Sequence, residues 1–140
     1  MKGKSTELPE GSKMPKSGVL HILVVDDEPI LADTFSLILT KSGFEAEAAY
    51  SGETALEMAA ERRPDVLFSD VIMGGMTGID LAFRILAIWP RCEIILCSGL
   101  ASTTELLKAA KERGCHFEIL RKPVHPRALL DAVSWILIPG

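Results

Sequence analysis

The sequence predicts an α/β domain built on a parallel sheet with helices on both faces. Short apolar runs alternate five times with longer stretches of helical periodicity, the pattern of a sheet assembled from strand–helix–strand crossovers. Two of those runs, residues 22–25 and 94–96, are apolar without interruption, as strands buried on both faces require. Helix-ending punctuation falls between the runs: Lys41-Ser42-Gly43 and Arg113-Gly114 each place a basic residue shortly before a glycine.

In chain order, strands are expected over residues 20–25, 44–49, 66–68, 93–97 and 117–120, and helices over 30–41, 52–62, 78–89, 102–113 and 127–137. The first helix brings Leu31, Phe35, Ile38 and Leu39 onto one face at three- and four-residue spacing. Ser102 or Thr103 is positioned to cap the fourth helix, and Pro126 stands where a first helical turn tolerates it. Right-handed crossovers leave few topologies for such a sheet, and a doubly wound sheet binds its ligand beyond the carboxyl ends of its strands.

Length and composition set the limits. The 140 residues suffice for one domain, and 48% hydrophobic against 24% charged residues allows a real core. Residues 1–18 carry four Lys and two Glu with few large apolar groups, and are expected to form a flexible tail. The remaining eleven basic and seventeen acidic residues leave the domain acidic, which argues against direct nucleic-acid binding. Cys92, Cys97 and Cys115 show no CxxC or paired metal-ligand spacing, and a reduced cytoplasmic setting is expected. Neither a spanning apolar run nor a secretory h-region is visible. The domain proper is expected over 19–138. Only 18 residues follow Lys122, so no output domain is expected.

The strand ends hold the chemistry. The first run closes on Asp26-Asp27-Glu28, the third on Ser69-Asp70 and the fourth on Ser98, and the fifth is followed by Arg121-Lys122-Pro123. On a parallel sheet these ends share one edge. Clustered carboxylates disfavour one another's ionised forms unless a cation intervenes, and a hard divalent ion such as Mg²⁺ takes a few carboxylates while keeping several waters. Beside such an ion an Asp carboxylate can attack a phosphoryl group and form an acyl phosphate. Asp70, on the central strand, is the candidate nucleophile, with Lys122 neutralising phosphoryl oxygens and Ser98 donating to one. Glu28 is either a third acid of the pocket or a helix-start carboxylate.

These residues carry a resemblance. Val24-Val25-Asp26-Asp27-Glu28, Asp70-Val71-Ile72-Met73 with Gly78 eight residues on, Ser98-Gly99 and Lys122-Pro123 resemble the receiver domain of two-component response regulators. The resemblance implies a flavodoxin-like (βα)5 fold with strand order 2-1-3-4-5. It implies that Asp70 is a phosphoacceptor supplied by a phosphohistidine on a histidine kinase or histidine phosphotransfer protein. It also implies that Asp27, Asp70 and the Ile72 backbone carbonyl ligate Mg²⁺, with Asp26 acting through coordinated water. Ser98 would be the switch hydroxyl and Lys122 its phosphate-pairing partner. Such a domain presents a phosphorylation-dependent surface to a downstream protein, as a monomer or a phosphorylation-dependent dimer, and uses no membrane. Leu106, Leu107 and Ala110 on the fourth helix, or Ala128, Leu129 and Trp135 on the fifth, are candidates for that surface. Ile30, Leu31 and Thr34 are candidates for kinase docking.

The chain departs from the pattern at two places. Gly74 stands where a proline is usual, which predicts a more flexible loop. Ile119 stands where an aromatic ring is usual, with Phe117 two residues earlier on the same strand face. Ile72 and Leu100, two residues beyond Asp70 and Ser98, are apolar and predict slow autodephosphorylation. A degenerate receiver acting without phosphorylation is the alternative. Two other classes fit less well. An aspartyl-phosphate phosphatase resembles a pattern with a second Asp where this chain has Ile72, and a nucleotide- or flavin-binding module needs a phosphate loop where this chain has three acids. Met73, Met76 and Trp89 read as packing residues, His21 and His125 as surface or capping residues, His116 as loop, and Asp80 and Asp131 as solvated.

Overall fold

The computed structural model describes residues 18–99, 103–115 and 117–137. Its elements run β1 (His21–Val25), α1 (Pro29–Lys41), β2 (Glu45–Ala49), α2 (Gly52–Glu61), β3 (Val66–Asp70), α3 (Gly78–Ile88), β4 (Glu93–Ser98), α4 (Thr103–Glu112), β5 (Glu118–Arg121) and α5 (Pro126–Leu137). All strand pairs are parallel, in the order β2-β1-β3-β4-β5. The parallel sheet is the architecture expected from the alternation of runs, and the strand order is the one the resemblance implies. Residues 1–17 of the expected tail, the Ser102 and Thr103 capping side chains, Leu100 and His116 lie outside the residues or side chains described.

Alternation along the strands divides the core into two layers. Leu23, Val25, Leu67, Ile94 and Leu96 face α2 and α3, meeting Ala55, Ile79, Leu81 and Ile85. Ile22, Val24, Val66, Phe68 and Ile95 face α1 and α5, meeting Ala32, Leu39, Leu129 and Val133. Phe35 closes edge-on against Phe68 at 5.5 Å between ring centres. The central strands β1 and β3 are buried along their whole length. Edge strand β2 instead exposes Glu45 and Glu47 between half-buried alanines, which protects the edge with charge.

Local signals account for the helix ends. Ser51 Oγ accepts from the Thr54 N–H, Thr77 Oγ1 from the Asp80 N–H, and His125 Nδ1 from the Arg127 N–H, each at 3.0 Å. The expected capping role of His125 is thus observed. Gly43 and Gly114 follow their helices at φ +102° and +87°, a region that glycine enters without a Cβ penalty.

Two expectations need correction. His21 is not on the surface: it is 3% exposed because β1 is flanked by strands on both sides. Its Nε2 meets Glu47 Oε1 at 3.1 Å and its Nδ1 the Arg63 carbonyl at 3.3 Å, while its backbone N–H donates to Asp65 Oδ2. Ala110 and Leu129 cannot serve a docking surface, being 2% and 0% exposed; each is on the sheet-facing side of its helix. Trp135 and Leu106 do remain exposed. β3 and β4 run on to Asp70 and Ser98, so these residues end their strands, as expected.

Candidate functional site at the carboxyl edge of the sheet

The ends of β1, β3 and β5 bring Asp26, Asp27, Asp70 and Lys122 together. Carboxylate oxygens of the three aspartates lie within 4.8 Å of one another. Asp26 and Asp70 are each only 6% exposed, whereas Asp27 is exposed. Lys122 Nζ donates to Asp70 Oδ2 at 2.9 Å and stands 3.7 Å from Asp26 Oδ2. Backbone groups complete the frame. The Glu28 N–H donates to Asp26 Oδ1 at 2.9 Å, and the Gly74 N–H to Asp27 Oδ2 at 3.0 Å.

Lys122 is set by its own backbone, whose N–H donates to the Ser98 carbonyl at 3.0 Å. The Lys122–Pro123 peptide bond is cis. The neighbouring Gly99 lets the lysine stem pass: a Cβ there would lie 3.1 Å from Lys122 Cβ. Ser98 sits half-buried at the end of β4. Ile72, two residues past Asp70, is 38% exposed.

Electrostatics follow from crowding and burial. Burial is the main cause that raises the Asp26 carboxyl above its ordinary value; the Glu28 N–H and Lys122 oppose it, and the Asp70 and Asp27 charges add to it. Burial would lower the Lys122 ammonium, but its bond to Asp70 and the two nearby carboxylates outweigh that and raise it. Burial, with a smaller contribution from the Asp70 charge, pushes the Cys97 thiol up to about 12, so this thiol stays neutral and unreactive near neutral pH. Three clustered carboxylates against one ammonium leave two negative charges in excess. That all-oxygen donor set fits a hard divalent cation.

Other expected residues fall elsewhere. Glu28 is exposed at the N-terminus of α1 and outside the acidic trio, so of its two readings the helix-start position holds. Ile119 is 39% exposed on β5, beside Leu96. Phe117 packs edge-on against Phe83, with centroids 5.9 Å apart, and Arg113 lies over that second ring. Its place before β5 puts it at the amino edge of the sheet, away from Lys122. Gly74, read from the sequence only as a source of loop flexibility, contributes a donor to the site. A backbone N–H has no residue-type signature, and the one available signal was that proline, which cannot donate, is absent there.

Comparison with known proteins agrees with this geometry. The family model for the response regulator receiver domain matches residues 22–134. The chain is 32% identical over 115 residues to the chemotaxis protein CheY of Thermotoga maritima, covering 81% of this chain and 94% of that protein. It is 32% identical over 113 residues to the DNA-binding response regulator MtrA of Mycolicibacterium smegmatis, where it spans 81% of this chain but 48% of the relative. A receiver domain protein of Clostridium thermocellum superposes with a TM-score of 0.76 at 29% identity, over 85% of this chain and 94% of the other. CheY4 of Vibrio cholerae gives 0.75 at 29% identity, over 85% and 99%. With family match, strand order and acidic pocket in agreement, the chain belongs to the response regulator receiver domain family.

Proposed function

We propose that the domain accepts a phosphoryl group from a phosphohistidine onto Asp70 and thereby changes a protein-binding surface. The supporting observation is the Asp70 carboxylate held by Lys122 at 2.9 Å inside a pocket whose other two acids lie within 4.8 Å. In this reading Asp27, Asp70 and the Ile72 carbonyl hold Mg²⁺, with Asp26 reaching it through water. The cation supplies charge neutralisation for the incoming phosphoryl oxygens. An Asp70 carboxylate oxygen attacks phosphorus, the P–N bond to the donor imidazole breaks with its electron pair, and the imidazole leaves. Lys122 then pairs with a phosphoryl oxygen while Ser98 donates to another.

The donor, a histidine kinase or histidine phosphotransfer protein, would dock on α1, where Ile30 is 79% exposed and Thr34 is also exposed. A downstream protein would read exposed residues of α4, β5 and α5, among them Leu106, Ile119 and Trp135. Among the described residues no helix is long and apolar enough to cross a membrane.

The test is incubation with acetyl phosphate and Mg²⁺, read by intact mass. Wild type gains one phosphoryl group, about 80 Da, and neither Asp70→Asn nor wild type in chelator gains any. A folded, Mg²⁺-binding protein that gains nothing from acetyl phosphate or from a phosphohistidine donor would instead be a phosphorylation-independent interaction module. The lifetime of the product is a second expected result. Ile72 is apolar and gives an attacking water no hydrogen-bond partner from its side chain, so the phosphorylated protein should decay over minutes or longer. A half-life of seconds defeats that expectation.

A further inference from the structure

Each member of the acidic trio is held by a different donor. Asp26 accepts from the Glu28 N–H and Asp70 from Lys122; Asp27 accepts from the Gly74 N–H at 3.0 Å. The buried pair has little room to move. Asp27 is the exposed member, and repulsion from two carboxylates within 4.8 Å favours its turning outward into water. We infer that the Gly74 N–H is a positioning group that holds the Asp27 carboxylate inward, so that the divalent-cation site is formed before the cation arrives.

The geometry supports this in three ways. The bond uses one lone pair of Oδ2, and a carboxylate has about four acceptor positions, so Oδ1 and the rest of Oδ2 stay available to a cation. The loop that delivers the N–H turns through Gly75 at φ +105°, a conformation glycine adopts freely. A proline at position 74 would have no N–H to give, so this contact depends on the residue this chain carries there. Space does not require glycine: a Cβ on Gly74 would stand 3.8 Å from Asp27 Oδ2, an ordinary contact. The N–H and not the missing side chain is therefore the functional feature.

This inference rests on reading the trio as a cation site, and its test separates the two. Mg²⁺ alone is titrated calorimetrically into wild type, Gly74→Ala and Gly74→Pro, with no phosphodonor present. The loss of a preformed carboxylate should weaken Mg²⁺ binding by Gly74→Pro about fivefold, while Gly74→Ala, which keeps the N–H, restores wild-type affinity. Amide hydrogen exchange gives a second readout without proline. The Gly74 N–H should be protected in metal-free wild type and exchange faster in Asp27→Ala; this arm decides the matter if Gly74→Pro does not fold. Equal Mg²⁺ affinity in a folded Gly74→Pro, or unchanged Gly74 exchange in Asp27→Ala, overturns the inference and leaves the cation site standing. Wild type that binds no Mg²⁺ overturns both.

Discussion

Gly78→Ala should lower the melting temperature by roughly 10 °C, although helix propensity alone points the other way. Gly78 opens α3, and alanine in a helix is ordinarily favoured over glycine by roughly 0.5–1 kcal/mol. Here the added methyl would collide with the Asp70 carbonyl oxygen and lie 2.9 Å from Ser69 Oγ. Neither can withdraw. Asp70 is paired with Cys97 in the sheet, and the Ser69 hydroxyl donates to that same carbonyl. Separating α3 from β3 would also stretch the Gly78 N–H to Val71 carbonyl bond, now 2.9 Å. Overpacking against fixed backbone costs about 3 kcal/mol, which corresponds to the stated shift for a domain of this size. Gly52→Ala is the matched control. It too opens a helix, but its Cβ would meet Met76 Sδ at 2.8 Å, and a flexible thioether can move aside. Calorimetric melting of both variants checks the contrast, and a Gly78→Ala protein that melts with wild type removes the steric argument.

The legible part of this molecule is the part written in side-chain type. Apolar runs and helical spacing identified the five strands and five helices of the described residues, because each element buries a face and burial selects residue type. The convergence of Asp26, Asp27, Asp70 and Lys122 was legible for a related reason: in a parallel sheet every strand end lies on one edge, so chain position alone brings those groups together. What could not be read was set by backbone or by neighbours in space. Gly74 reaches Asp27 across 47 positions of sequence through a main-chain donor. His21 looks like a polar residue starting a strand, and only the sheet order, with β1 between β2 and β3, shows that it must be buried and bonded. Ala110 and Leu129 fell on the wrong side of their helices because a short amphipathic segment does not say which apolar residues face the sheet.

Lys122→Ala should destabilise the metal-free protein at neutral pH, with a deficit that shrinks in acid. Lys122 is the cation within reach of both buried carboxylates, 2.9 Å from Asp70 and 3.7 Å from Asp26. Its side chain is 29% exposed, so solvent screens part of the interaction and the loss should be about 1–2 kcal/mol, less than a fully buried pair would show. The sign of the pH dependence follows from Asp26. Its carboxyl is raised above the ordinary value of 3.8, so the folded state holds that proton more tightly than the unfolded chain does. Stability from this group is complete below 3.8 and declines as pH rises through the folded value. The Lys122 charge is one of the causes that lower it; without the lysine the folded value climbs further and the decline with rising pH deepens. Urea unfolding at pH 7 and pH 4 in chelator should therefore show a gap between the proteins at the higher pH that narrows at the lower. Adding Mg²⁺ at pH 7 should recover part of the gap by replacing the missing positive charge. Phosphorylation by acetyl phosphate should nevertheless fall on the order of 100-fold, because the group meeting the developing phosphoryl charge is gone. A gap of equal size at both pH values would show that Lys122 acts through packing of its stem, and the electrostatic account of the pocket would fail.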